Sequence, residues 1–256
     1  MIHNATIIGP ADERKTHLGA IAGRSARCFA VAAYLLGIAG MAVLTGYVVV
    51  SGLGLWPRGE PGAGPLPWLV DTGWLAAFAL QHSGMAREGF KQWLTGHIPA
   101  YLERSIYVAA SGVLTLAQPL IWQPLPGDNV WEGQYWLMAV SIAGVAGLVM
   151  SYRWFDQLSF LGLRQVGIGG AAAAEETVRM DGPYRWVRHP LMVAMLMFLW
   201  GQPTMPPELL LLVGGLTAYI LVAIRLEERE LRRKFGQVYE DYCRRVPALV
   251  PWRLPV

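Results

Sequence analysis

The chain has 256 residues, 54% of them hydrophobic and only 15% charged, with a mean hydropathy of +0.35. This balance excludes an ordinary soluble domain and points to a membrane protein. The net charge of +3 follows from where the cations fall relative to a membrane, so no nucleic-acid partner is needed to explain it.

In chain order, residues 1–28 are polar and read as a cytoplasmic N-terminal segment. The apolar run after them is too long for the core of a cleaved signal peptide. Runs at 29–53, 66–84, 105–122 and 134–152 are each near or above the roughly 18–20 residues a spanning helix needs. They form a four-helix membrane region over 29–152. The Gly/Pro-rich stretch 57–67 and the polar stretch 123–134 are short loops on the opposite side.

Residues 153–256 form the last region, opening with a long connector over 153–189. Its Gly167-Ile168-Gly169-Gly170 lacks a preceding strand and a βαβ setting, so a dinucleotide-binding loop is excluded. The apolar block 190–224 is broken by Gly201-Gln202-Pro203-Thr204-Met205-Pro206-Pro207. Prolines remove helix donors and clash with the preceding turn, so the block reads as a helical hairpin. Its first arm, 191–201, is short for a full span unless it tilts or its turn lies inside the protein. The final stretch 225–246 is polar and helical, with Leu231, Phe235, Tyr239 and Tyr242 on one face. Val246-Pro247 ends it. The expected fold is all-α, a polytopic membrane bundle of about six helices including the C-terminal hairpin.

Charge placement supports that count. With both termini cytoplasmic, 20 of the 21 Lys and Arg residues lie on the cytoplasmic side and only Arg58 lies opposite. Cys28 and Cys243 fall on the same reducing side, and neither stands at metal-ligand spacing.

The most informative stretch is Gly182-Pro183-Tyr184-Arg185-Trp186-Val187-Arg188-His189-Pro190. Pro190 is a favoured first helical residue, and the free amides of such a helix start attract anions. The closing arm of the hairpin brings Glu227 and Glu228 back to the same membrane side. A ligand with a carboxylate, a ribose diol and a positive centre matches an arginine, a carboxylate pair and the rings of Tyr184 and Trp186. S-adenosylmethionine carries all three groups. Interfacial anchors and mutual ion pairs account for the same residues equally well.

These motifs, with the tail Phe235-Gly236-x-x-Tyr239-x-x-Tyr242-x-x-x-Val246-Pro247, resemble the integral-membrane methyltransferases of the isoprenylcysteine carboxyl methyltransferase type. The resemblance implies a cytoplasmic S-adenosylmethionine site formed by Arg188, His189, Pro190, Glu227 and Glu228. It implies further contacts from Tyr184 and from Glu176, Thr177, Val178 and Arg179. Many members have Tyr two residues after the proline, where this chain has Met192, so that contact is not carried over. Gln81-His82-Ser83-x-Met85-Ala86-Arg87, Glu103-Arg104-Ser105-x-Tyr107, Gly162-Leu163-Arg164-Gln165 and the hairpin run 198–205 are similar to the bacterial branch that contains the methanethiol S-methyltransferases. That branch implies Gln165 as a cofactor contact, a bacterial inner-membrane location, and methyl transfer from S-adenosylmethionine to a small thiol, giving dimethyl sulfide from methanethiol. Other lipophilic thiols, an isoprenylcysteine-like carboxylate, and a non-enzymatic role like that of denitrification-linked membrane relatives are the alternatives.

His82 closes the second apolar run, and Glu103-Arg104 opens the third at the same interface. The thiolate is the nucleophile in thiol alkylation, so a base and a cation beside it are useful. On the catalytic reading His82 accepts the proton and Arg104 stabilises the anion, with Glu103 beside them. A helix end with a Glu–Arg pair explains the same residues.

Overall fold

The apolar runs fold as helices. The computed structural model describes residues 7–8, 22–151, 156–170 and 177–251, with the side chains of Ile7, Ile8 and Thr177 set aside. Arg14, Lys15, Arg153, Glu175, Glu176 and Arg253 therefore lie outside the described residues. Two helices, α1 (Arg24–Gly52) and α8 (Pro207–Phe235), are long and apolar enough to cross a membrane. Between them lie α2 (Leu66–Met85), α3 (Glu88–Thr95), α4 (Glu103–Ile121), α5 (Leu137–Ser151), α6 (Gln157–Phe160) and α7 (Pro190–Trp200). A polar α9 (Gln237–Arg245) follows.

Close contacts give each helix its direction. A Cβ on Gly37 would lie 2.7 Å from Val108 Cγ1, and one on Gly40 would lie 2.6 Å from the Gly112 carbonyl. α1 and α4 therefore run parallel, drawn together by small residues as in tightly packed membrane helix pairs. Trp74 Nε1 donates to the Leu114 carbonyl (3.1 Å) and the Gln123 amide donates to Asp71 Oδ1 (2.9 Å), so α2 runs antiparallel to α4. Leu75 meets Gly215, and Ser83 Oγ donates to Tyr219 Oη (3.3 Å), so α8 runs parallel to α2. A Cβ on Gly144 would lie 2.5 Å from Phe198 N, and one on Gly201 2.3 Å from Ser141 N, which sets α5 antiparallel to α7. Trp200 meets Thr217 while His189 meets Glu228, so α7 runs antiparallel to α8, and α1, α4 and α7 point one way with α2, α5 and α8 the other.

The largest core cluster centres on Leu209, Leu212, Val213 and Ile220 of α8, packed against Trp74, Phe78, Trp122 and Phe198. Trp74 stacks on Phe78 at 5.5 Å and meets Trp122 edge-on at 5.6 Å, favourable ring geometries. The outer surface is also apolar: Leu69, Leu80, Leu120 and Ile142 are 63%, 75%, 85% and 64% exposed. Water would penalise such a continuous apolar exterior, whereas lipid would not.

The α7–α8 turn lies inside the protein, so the eleven-residue α7 needs no longer span. The turn's backbone is satisfied from neighbouring loops. Met205 N donates to the Trp131 carbonyl, Val130 N to the Met205 carbonyl, Gln134 N to the Pro203 carbonyl and Thr204 N to the Gly52 carbonyl. Irregular backbone inside an apolar bundle is tolerated only where it is buried and bonded in this way.

Three features depart from the expectation. α8 continues to Phe235 instead of ending near 224, because no Gly or Pro interrupts its Leu-, Glu- and Arg-rich stretch. Gly236, at φ +54°, then makes the break into α9. Two-residue strands β1 (Ile7–Ile8) and β2 (Thr177–Val178) pair antiparallel, too short to leave an alternating pattern in the sequence.

Candidate active site

Two polar clusters lie at the end of the bundle where α2 and α8 finish and α4 and α7 begin. The first joins the start of α7 to the far end of α8. Arg188 donates from Nε (2.8 Å) and Nη2 (2.5 Å) to Glu228 Oε1, and His189 Nε2 lies 3.2 Å from the same oxygen. Arg232 Nη2 reaches Glu228 Oε2 at 2.8 Å. The Arg188 and Glu228 side chains are 10% and 9% exposed, so this is a buried, shared ion pair. Glu227, one residue earlier on the helix, is 51% exposed and among the described residues reaches only His189 Nδ1, at 3.7 Å.

The two carboxylates are driven apart electrostatically. Burial works to raise the Glu228 carboxyl, but the hydrogen bonds and charge of Arg188, with His189, outweigh it and hold it below the usual carboxylate range. Glu227 moves the other way: loss of solvation raises it, His189 opposes the rise, and the Glu228 charge adds to it.

Arg188 also anchors the tail. Its Nη1 donates to the Cys243 carbonyl (3.2 Å) and to the Val246 carbonyl, so with the Glu228 bonds four of its five N–H donors are engaged inside the protein. The backbone amides of Arg188 and His189 donate to the carbonyls of Pro247 (2.9 Å) and Ala248 (3.2 Å). Arg188 thus acts as a clamp that sets Glu228 and closes the tail. Tyr239 and Tyr242 pack with Val178 and Val246, and Tyr242 Oη donates to the Tyr184 carbonyl at 2.7 Å. Burial raises both hydroxyls above their ordinary range. They are core residues. Trp186, by contrast, is 48% exposed beside Arg188.

The second cluster surrounds His82. Ser111 Oγ donates to Gln81 Oε1 (3.2 Å), which leaves its oxygen to accept from His82 Nδ1–H at 3.3 Å. That assigns the ring its tautomer. His82 Nε2 is then the acceptor for the Tyr107 hydroxyl at 2.8 Å. Phe78, Tyr107 and Tyr219 surround the imidazole with ring centroids at 5.2, 5.1 and 5.9 Å. The Arg104 guanidinium sits between the Tyr107 and Phe160 rings, at 4.7 and 4.6 Å, and donates to the Phe160 carbonyl. Glu103 opens α4, where a carboxylate complements the helix dipole.

The structure thus brings together Tyr184, Arg188, His189, Pro190, Glu227 and Glu228, with Val178 packed behind them and Thr177 beside it on β2. Arg179 is exposed and lies close enough to Tyr184 to be felt electrostatically. Gln165 falls elsewhere. It donates to the Ser159 carbonyl at 2.9 Å, next to the Phe160 that holds Arg104. The residues missed from sequence are Ser111, Tyr219 and Arg232. Ser111 stands one helical turn after Tyr107, a spacing that marks a shared face. The two clusters share α8, where Tyr219 and Glu227 are eight residues, or about 12 Å of helix rise, apart.

The chain is 38% identical over 191 residues to a methanethiol S-methyltransferase of Mycobacterium tuberculosis, covering 72% of this chain and 78% of that protein. It is 39% identical over 189 residues to methanethiol S-methyltransferase 2 of Bradyrhizobium diazoefficiens, covering 72% and 73%. It is 32% identical over 183 residues to nurim of Sus scrofa, covering 66% and 68%. No family model matches the chain, and no solved structure matches it significantly.

Proposed function

The chain belongs to the family of the methanethiol S-methyltransferases, and on that premise we propose that it methylates methanethiol, taking the methyl group from S-adenosylmethionine and releasing dimethyl sulfide. The observation that carries this reading is identity of 38–39% across 72% of the chain to two proteins named for that reaction. The joining of the two separated motifs at Glu228 supports it.

The donor set suits the proposed cofactor. Glu227 is half-exposed with one weak contact among the described residues, so it can accept hydrogen bonds from a ribose diol. Pro190 starts α7 and leaves the Leu191 and Met192 amides without helical partners, a site for a carboxylate. Trp186 and Tyr184 offer ring faces for a purine or a cation. Arg188, Glu228 and Val178 position these groups, and Thr177 and Arg179 border them. S-adenosylmethionine, when bound, supplies a methyl carbon on a positively charged sulfur, open to displacement by a thiolate.

The chain's own part in the chemistry is to deprotonate and orient the thiol. Methanethiol is a poor nucleophile until it loses its proton. In the proposed step the thiol proton passes to Tyr107 Oη as the Tyr107 hydroxyl proton passes to His82 Nε2, leaving an imidazolium and a thiolate. Ser111 holds Nδ1–H so that Nε2 stays the acceptor. Arg104, on the Tyr107 ring, offsets the developing negative charge. Glu103 and Gln165 hold the surrounding helix start and connector. Positioning thiol and methyl carbon in line supplies much of the rate.

The proposed setting is the bacterial inner membrane, with about six spanning helices and both termini cytoplasmic. The deciding experiment is headspace detection of dimethyl sulfide from cells that express the chain and receive methanethiol. Membranes that contain the protein but release no more dimethyl sulfide than the vector control would end this reading.

A further inference from the structure

Beyond Ile224, α8 carries Arg225, Arg229, Arg232 and Arg233 on successive turns. Spacings of four, seven and eight residues put them on one side of the helix. With Glu228 they line an open groove of about 600 Å³. Arg232 is bonded to Glu228. Among the described residues the exposed side chains of Arg225, Arg229 and Arg233 have no hydrogen-bond or ion-pair partner. Four guanidinium groups face a single carboxylate that Arg188 already neutralises, so the groove is strongly cationic.

The same side of the helix is apolar one turn earlier. Leu221 and Val222 are exposed, at 38% and 49%, and stand four and three residues before Arg225. We propose that this groove binds an anionic phospholipid at the surface where α8 emerges, its phosphate on the arginines and its acyl chain along Leu221 and Val222. Guanidinium groups match phosphate oxygens in bidentate geometry. Clusters of arginine just outside a spanning helix are attracted to anionic lipid surfaces. A soluble phosphate would use the arginines but leave the apolar turn unoccupied, so the juxtaposition favours lipid.

The test uses the purified full chain in neutral detergent, with phosphatidylglycerol, phosphatidylcholine and inorganic phosphate as probes, read by native mass spectrometry and by thermal stability. Phosphatidylglycerol should be retained in preference to phosphatidylcholine. The preference should weaken about fivefold for each arginine removed in the series Arg225→Gln, Arg229→Gln and Arg233→Gln. For the unmodified protein it should also shrink as salt rises, a measurement that needs no variant. Equal retention of both lipids, or an undiminished preference in the triple variant, overturns the proposal. Stabilisation by inorganic phosphate equal to that by phosphatidylglycerol would assign the groove to a soluble phosphate. Displacement of the lipid by S-adenosylhomocysteine would assign it to the methyl donor, and either result removes the lipid.

Discussion

The Tyr107 hydroxyl donates to His82 Nε2 at 2.8 Å, and Ser111 occupies the other ring nitrogen at 3.3 Å. Neither nitrogen of His82 is open to a substrate. If His82 serves as a base, it does so through the tyrosine oxygen. This changes which variant is most informative, since Tyr107 and not His82 would meet the thiol.

Tyr107→Phe and His82→Ala should each lower turnover by roughly 10²–10⁴-fold, the range for loss of a general base. The two groups act as one relay, so the double variant should lose little more than either single one. Raising the pH, which ionises the thiol without help, should restore much of the activity in all three. Additive losses, or activity that stays low at high pH, would show that the two side chains merely support the helix packing around them.

The Arg188–Glu228 pair makes a prediction about acid. The folded-state pKa of Glu228 is depressed, so its stabilisation is fully present above the unfolded value of about 4.3 and is lost as pH falls through the lower folded value. Glu228→Gln should flatten that part of the stability profile. Glu228→Ala leaves a buried arginine without its partner and should cost about 3–5 kcal/mol. Melting temperatures in detergent between neutral pH and strong acid check both. An unchanged acid limb in Glu228→Gln would mean other carboxylates set it.

How much of this is legible in the sequence depends on the range of each interaction. The apolar runs, the broken hairpin and the return of Glu227-Glu228 toward His189 are local or follow from chain length, and they stand in the sequence. The direction of the Arg188 side chain does not. It is settled by carbonyls at Cys243 and Val246, more than fifty residues away, which no nearby pattern reports. Tyr107 belongs to the Glu103-Arg104-Ser105-x-Tyr107 motif, yet a tyrosine in an apolar helix carries no sign of which histidine it will meet. The contacts of Gln165 with the Ser159 carbonyl follow from the fold of the connector, where glycines at positive φ, Gly162 and Gly167, turn the chain.

Topology can be tested by labelling. In a Cys28→Ser/Cys243→Ser background, a cysteine at Asp128 should react with an impermeant reagent in whole cells, and one at Glu240 should not. Both positions are exposed, so failure to label reports the side of the membrane and not burial. The prediction rests on the sequence-based expectation that 20 of 21 cations lie on one side and on the alternating directions of α1, α2, α4, α5, α7 and α8. Labelling at Glu240 with none at Asp128 would invert the orientation, and labelling at both would remove one span from the count.

Glu227 and Glu228 are adjacent in sequence but predict opposite phenotypes. Glu228 is buried and shared by Arg188, His189 and Arg232, so its loss should appear first as lost stability. Glu227 is half-exposed and, among the described residues, has a single 3.7 Å contact, to His189, so Glu227→Gln should leave the melting temperature near that of the unmodified protein. If Glu227 accepts the ribose diol, that variant loses a charge-assisted hydrogen bond, and affinity for S-adenosylhomocysteine should fall by about 1–3 kcal/mol. Isothermal titration on the folded variant measures this directly. Unmodified affinity in Glu227→Gln would remove Glu227 from the cofactor site, and the diol would then need a partner elsewhere on the α7–α8 hairpin.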